Sequence, residues 1–164
     1  MSDAMSGTPL DAGGAHDGYE HPAAPPLARM SIAVLALIGL LVAAYLSLYK
    51  LGIIGGLTCT VGSCEQVQAS PWATLLGIPV SLWGAGAYVT ILAVAIIGLQ
   101  PRFVNARWVA LALFGLSAVG VAFSAYLTYI EAFVIEMWCQ WCVTSAVIIT
   151  LIFLLSIPGL RRAR

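Results

Sequence analysis

Between Met30 and Leu160 only six side chains carry charge: Lys50, Glu65, Arg102, Arg107, Glu131 and Glu136. They divide this stretch into four apolar spans, at residues 30–49, 78–99, 108–130 and 140–157. Each is near the ~20 residues that a helix needs to cross about 30 Å of hydrocarbon. That layer holds no water to pair with backbone N–H and C=O groups, so each span must close its own hydrogen bonds and reads as a helix. All four are apolar around their whole circumference, as buried or lipid-facing helices are. The fold expected is all-α: an integral membrane four-helix bundle.

Composition agrees. The 164 residues are 61% hydrophobic and 9% charged, against about 45–50% and about 25% in soluble domains. So few charges cannot cover a water-facing surface, which argues against a soluble enzyme. Net charge zero without a basic patch leaves no electrostatic footprint for nucleic acid, so no nucleic-acid partner is expected. No His, Asp, Glu, Lys or Arg falls in mid-span. That argues against a proton pump, a channel with a charged filter, or a carrier of charged substrates.

Residues 1–29 are a different kind of sequence, with scattered apolar residues, four prolines, and both histidines, His16 and His21. Such a stretch cannot bury enough surface to offset its ordering entropy, and it reads as a disordered cytoplasmic tail. It lacks the basic region and short apolar run of a signal peptide. No other ligand types accompany the histidines at ligand spacing, so no metal site is expected there. Residues 30–160 form the membrane domain, and residues 161–164 a basic cytoplasmic C-terminus.

Orientation follows from the basic residues. With four crossings, Arg29, Arg102, Arg107, Arg161, Arg162 and Arg164 share one side, and only Lys50 lies on the other. This is a positive-inside pattern with both termini cytoplasmic. The first connection, about residues 50–77, and the third, about residues 131–139, then face outward, with Glu131 in the third. All four cysteines, Cys59, Cys64, Cys139 and Cys142, fall on that outer side, which is the oxidising side in a bacterial cell or an endoplasmic reticulum.

Cys139-Gln140-Trp141-Cys142 is a C-x-x-C motif opening the fourth span. Its i, i+3 spacing puts both sulfurs on one helix face, and a helix N-terminus favours the thiolate that attacks disulfides. Cys59 and Cys64 form a second pair in a glycine-containing loop able to bend and carry sulfurs over a distance. Two pairs of unequal rigidity on one membrane face suggest a relay. Other readings stay open: a four-cysteine zinc site, inert structural disulfides in any of three connectivities, or buried thiols. Ser70-Pro71 fits an N-cap and N1 pair opening a short interfacial helix over residues 71–76. Trp72, Trp83, Trp138 and Trp141 cluster at the outer boundary, where tryptophan anchors. Trp141 is also placed to pack on a planar ligand.

These residues resemble the vitamin K epoxide reductase family, in particular its bacterial thiol-oxidase branch. The resemblance covers about residues 30–157. It rests on the loop cysteine pair, the stretch from Cys64 through Ser70-Pro71-Trp72 to Leu76-Gly77-Ile78-Pro79, and the C-x-x-C that follows. It implies a redox domain in the bacterial inner membrane that passes electrons from a reduced DsbA-like thioredoxin-fold partner to a quinone, menaquinone or ubiquinone. By that resemblance a partner thiol attacks a Cys59–Cys64 disulfide at Cys59, Cys64 exchanges with Cys139, and Cys142 faces the quinone, with Ser70 in support. A DsbA-type couple near about −120 mV needs a strong terminal oxidant, and a quinone is one. Animal vitamin K enzymes carry a tyrosine four positions after the last cysteine, where this chain has Ala146, and a first-loop asparagine that this loop lacks. Epoxide reduction is therefore the less expected chemistry. The partner is expected to be a separate protein.

Overall fold

A computed structural model describes residues 27–162. Its elements in chain order are α1 (Leu27–Lys50), α2 (Cys64–Ala69), β1 (Thr74–Leu75), β2 (Ile78–Pro79), α3 (Val80–Leu99), α4 (Arg107–Ile130) and α5 (Gln140–Arg162). The four long helices, α1, α3, α4 and α5, are each long and apolar enough to cross a membrane, and they make the expected all-α bundle. α1 packs on α3 and α5, and α4 packs on α5 and α3.

Small residues bring the helices close. Ala36 and Ala95 are fully buried in the core with Ile91, Val109 and Ile152. A Cβ on Gly39 would stand 2.3 Å from Cε1 of Tyr88, so α1 passes directly over that ring. The Tyr88 hydroxyl donates to the Ser145 carbonyl on α5 at 2.9 Å, tying three helices at one level. Buried Ser47 and Ser117 donate back to the carbonyls of Ala43 and Leu113, each at 2.7 Å. Each hydroxyl is thus satisfied within its own helix. Leu37, Leu41, Val89, Ile96, Val119 and Val147 point outward and are exposed. This apolar exterior suits lipid rather than water.

The two ends of the bundle differ in character. At one, Arg29 donates to the Gly98 carbonyl and, at 3.2 Å, to that of Phe103. The start of α1 is thereby fastened to the α3–α4 connection, which carries Arg102. The other end holds all four cysteines and the long α1–α3 connection. There β1 and β2 form a minimal hairpin, with Leu76 at φ 55° and Gly77 at φ 79°. Two left-handed residues between paired strands make the tight turn that matches strand twist.

Four boundaries depart from the sequence reading. α1 begins at Leu27, so residues 27–29 are helical, and the remainder of the proposed tail, residues 1–26, lies outside the described residues. α5 runs through Pro158 to Arg162; the missing proline N–H is tolerated in membrane helices because neighbouring groups compensate. Residues 163–164 also lie outside the described residues. The short helix expected over residues 71–76 is one tight turn, Pro71–Ala73, because the chain turns extended at Thr74 to pair with β2. Finally, the third connection is not all loop. α4 continues into a widened π-type turn, Glu131–Ile135, ending at Glu136 in the left-handed conformation.

Candidate redox centre

The C-x-x-C segment sits where expected. Cys139 immediately precedes α5, its carbonyl accepting the Val143 N–H at 3.0 Å. Cys142 lies in the first turn, and both are free thiols. Cys59 and Cys64 are joined as a disulfide with Cα atoms 6.3 Å apart. Two of the three possible connectivities are thereby set aside, and two sulfurs rather than four are left as thiols.

The first-loop pair is brought to the C-x-x-C by backbone pairing. Gly62 forms an isolated antiparallel bridge with Cys139, and the Ser63 N–H donates to the Trp138 carbonyl at 3.0 Å. Gly62 is required for this approach: its φ is 92°, and a Cβ there would stand 2.2 Å from the Trp138 carbonyl oxygen. Cys64 then opens α2 and is 1% exposed, while Cys139 is 0% exposed. The two pack in one buried cluster with Val67, against Leu57, Ile135 and Cys142.

The loop read as able to swing is fastened to α5. The Trp141 indole N–H donates to the Thr58 carbonyl at 3.0 Å, and Thr60 Oγ1 meets Gln140 Oε1 at 2.8 Å. The two residues between the C-x-x-C cysteines therefore grip the two neighbours of Cys59. Trp141 also packs edge-on against Tyr45 at 5.2 Å between ring centroids, and Tyr45 accepts the Thr58 N–H at 3.0 Å. The structure therefore places Trp141, offered above as a surface for a planar ligand, against the loop, and the cavity between the helices is lined by other residues. Cys59, held in this clasp, stays half-exposed.

That cavity opens among the helices beside Cys142 and measures about 840 Å³ counted out to its mouth. Its walls are mostly apolar, with the Trp72 and Phe123 rings, and its few polar side chains include Gln68, Ser70, Ser81 and Glu131. Ser70 Oγ donates to the Val67 carbonyl at 2.7 Å, closing the end of α2. Among the buried side-chain oxygen and nitrogen atoms of the described residues, Ser81 Oγ is the one left without a hydrogen-bond partner. Such a hydroxyl fits the carbonyl oxygen of a bound molecule.

Three residues here escaped the sequence reading. Ser81 looked like one more small residue in an apolar span. Gln68 is 6% exposed and reaches toward Cys142, Nε2 to Sγ 3.9 Å. Glu131, assigned to an outer loop, is 4% exposed, and its Oε2 accepts the Cys139 N–H at 3.3 Å. A glutamate directly after a long apolar span was the one signal available for it.

The thiols are not equivalent. Hydrogen bonding from Cys142 holds the Cys139 thiol below its ordinary 9.0. Burial works against that shift, and the backbone N–H groups of Cys142 and Trp141 support it. Cys139 is thus the thiolate-forming partner, as the first cysteine of a helix-opening dithiol is expected to be.

An oxidised cysteine pair, a buried junction, a reduced dithiol and a membrane-level cavity in sequence define a membrane thiol–disulfide redox protein. The family model for the Vitamin K epoxide reductase family matches residues 30–157, and the chain belongs to that family. At family level this is a membrane oxidoreductase working between disulfides and quinones.

Proposed function

We propose that this chain is a quinone-dependent thiol oxidase that drives disulfide formation outside the cytoplasm. It would sit in a bacterial cell membrane with both termini cytoplasmic and all four cysteines on the far side. The segregation of Arg29, Arg102 and Arg107 at the bundle end opposite the sulfurs supports that orientation. The single observation that carries the reading is the packing of Cys64 against Cys139 in one buried cluster, with Cys142 opening on the cavity.

In this scheme a thiolate of a reduced DsbA-like partner attacks Cys59, the more exposed sulfur of its pair. Cys64 leaves as a thiolate, and the partner's second thiol then displaces Cys59, so the partner departs oxidised. Cys64 attacks Cys139 of an oxidised C-x-x-C and Cys142 is released. Attack of Cys59 on Cys64 restores the first disulfide and leaves Cys139 and Cys142 as thiols. The structure has that distribution of bonds. A quinone, menaquinone or ubiquinone, would supply the two-electron, two-proton oxidising capacity that turns this dithiol back into a disulfide. Ser81 would donate a hydrogen bond to it between the Trp72 and Phe123 rings, with Ser70 on the same wall.

The test removes the last sulfur. In Cys142→Ser, Cys139 has no internal partner, so a Cys64–Cys139 disulfide should accumulate and be visible by thiol trapping and peptide mapping. If that species never forms, and Cys142→Ser still reduces quinone, the relay is wrong.

A further inference from the structure

We infer that Glu131 is a catalytic proton carrier between the Cys142 thiol and the cavity. This rests on the thiol-oxidase reading above and adds to it the path of the protons. Oxidation of the Cys139/Cys142 dithiol forms one S–S bond and breaks two S–H bonds, releasing two electrons and two protons. A quinone would take up both, and on the mostly apolar cavity wall an ionisable side chain beside the thiol is the group suited to carry a proton.

The geometry selects Glu131. Among the residues lining the cavity, Glu131 and Cys142 are the titratable ones. The carboxyl group meets the dithiol segment directly, accepting the Cys139 N–H at 3.3 Å, and it shares the cavity wall with the Cys142 thiol. The Glu131 carboxylate is therefore the proton acceptor that shares the cavity wall with Cys142. The neighbouring charges are committed elsewhere: Lys50 donates to the Gln68 carbonyl, and Glu65 accepts the Leu57 N–H at 3.2 Å. The widened turn Glu131–Ile135 carries the carboxylate at the end of α4, and such turns recur at functional sites. When Cys139 and Cys142 join, Glu131 takes the Cys142 proton on one carboxylate oxygen and holds it at the cavity wall.

Glu131→Gln separates this role from a structural one, since the amide oxygen still accepts the Cys139 N–H but no longer exchanges a proton. Quinone reduction by the reduced variant should fall about 100-fold, the scale of one positioned proton-transfer group. Its loss should appear in the maximal rate and not in the quinone KM. Glu131→Asp should recover part of the rate. Independently of turnover, infrared difference spectra between reduced and oxidised protein should contain a carboxyl C=O band that is absent from Glu131→Gln. A Glu131→Gln protein with full rate and an unchanged difference spectrum would overturn the proposal. Rate loss in Glu131→Gln with no carboxyl band in the parent protein would also overturn it, and would leave Glu131 a positioning residue. Cys142→Ser assayed alongside separates the two readings: if it too reduces quinone normally, the thiol-oxidase reading itself has failed.

Discussion

Substituting Gly62 by alanine should disconnect the two cysteine pairs without touching a sulfur. At φ 92° the backbone of Gly62 is in a region that costs an L-residue about 1–2 kcal/mol. The new Cβ would also begin 2.2 Å from the Trp138 carbonyl oxygen, well inside contact distance. The neighbour is backbone, so it cannot swing aside as a side chain would. The loop must therefore lift away from the segment before α5. Lifting it breaks the Ser63 N–H to Trp138 carbonyl bond of 3.0 Å, worth about 1 kcal/mol net. That lost bond opposes lifting, so the backbone strain sets the scale: about 1–2 kcal/mol before the Cβ contact is counted, which disfavours the docked arrangement about 5- to 30-fold.

The readout is the rate at which Cys64–Cys139 forms in a Cys142→Ser background, followed by quenched thiol trapping. Gly62→Ala should slow it by that factor. The Cys59–Cys64 disulfide, closed within its own short loop, should remain open to reduction by a small soluble dithiol at nearly the original rate. Equal trapping rates with and without the substitution would refute the idea that backbone pairing of Gly62 with Cys139 aligns the sulfurs.

Two further outcomes follow from the same site. Hydrogen bonding from Cys142 keeps the Cys139 thiol below 9.0, so its reactive thiolate persists to lower pH and is lost as pH falls through that depressed value. The pH midpoint for Cys64–Cys139 formation should therefore be higher in Cys142→Ala, which has no donor, than in Cys142→Ser, whose hydroxyl still donates; coincident midpoints would contradict this. Ser81→Ala should leave the melting temperature unchanged or slightly raised, since Ser81 Oγ has no partner to lose. It should also raise the quinone KM several-fold, for a hydrogen bond worth about 1 kcal/mol; an unchanged KM in steady-state titration would remove Ser81 from the binding site.

The bundle was legible because its determinants are local. Six charges in residues 30–160 mark where apolar spans end, and the membrane's demand for internal hydrogen bonding leaves only helices to fill them. The C-x-x-C at the start of α5 was legible for the same reason, since spacing and helix position are both read along the chain. What stayed hidden depends on contacts between distant residues. Nothing near Gly62 announces Trp138 as its neighbour, 76 positions on. Trp141 looked free for a ligand because its partners, Thr58 and Tyr45, arrive from another helix and loop. Glu131 was misassigned because charge was taken to end a span. Here the helix widens and continues past it instead, and a carboxylate at a span boundary can turn inward when a backbone N–H such as that of Cys139 is there to meet it.

In the proposed scheme, the gradation of exposure along the four sulfurs gives a reason for two pairs rather than one. Cys59 is half-exposed at the outer end, Cys64 and Cys139 are sealed from solvent, and Cys142 opens on a cavity between helices. A single pair would have to meet both a water-soluble dithiol and an apolar oxidant. Any soluble thiol that reached the second sulfur would then reduce it directly and bypass the partner. In the proposed scheme, a buried Cys64–Cys139 junction between the two environments would confine entry to the more exposed sulfur and exit to the one beside the cavity. Exchange at that junction swaps one disulfide for another of similar kind, so in the proposed scheme it costs little driving force: the sulfurs' placement sets the route, and the terminal oxidant would set its direction.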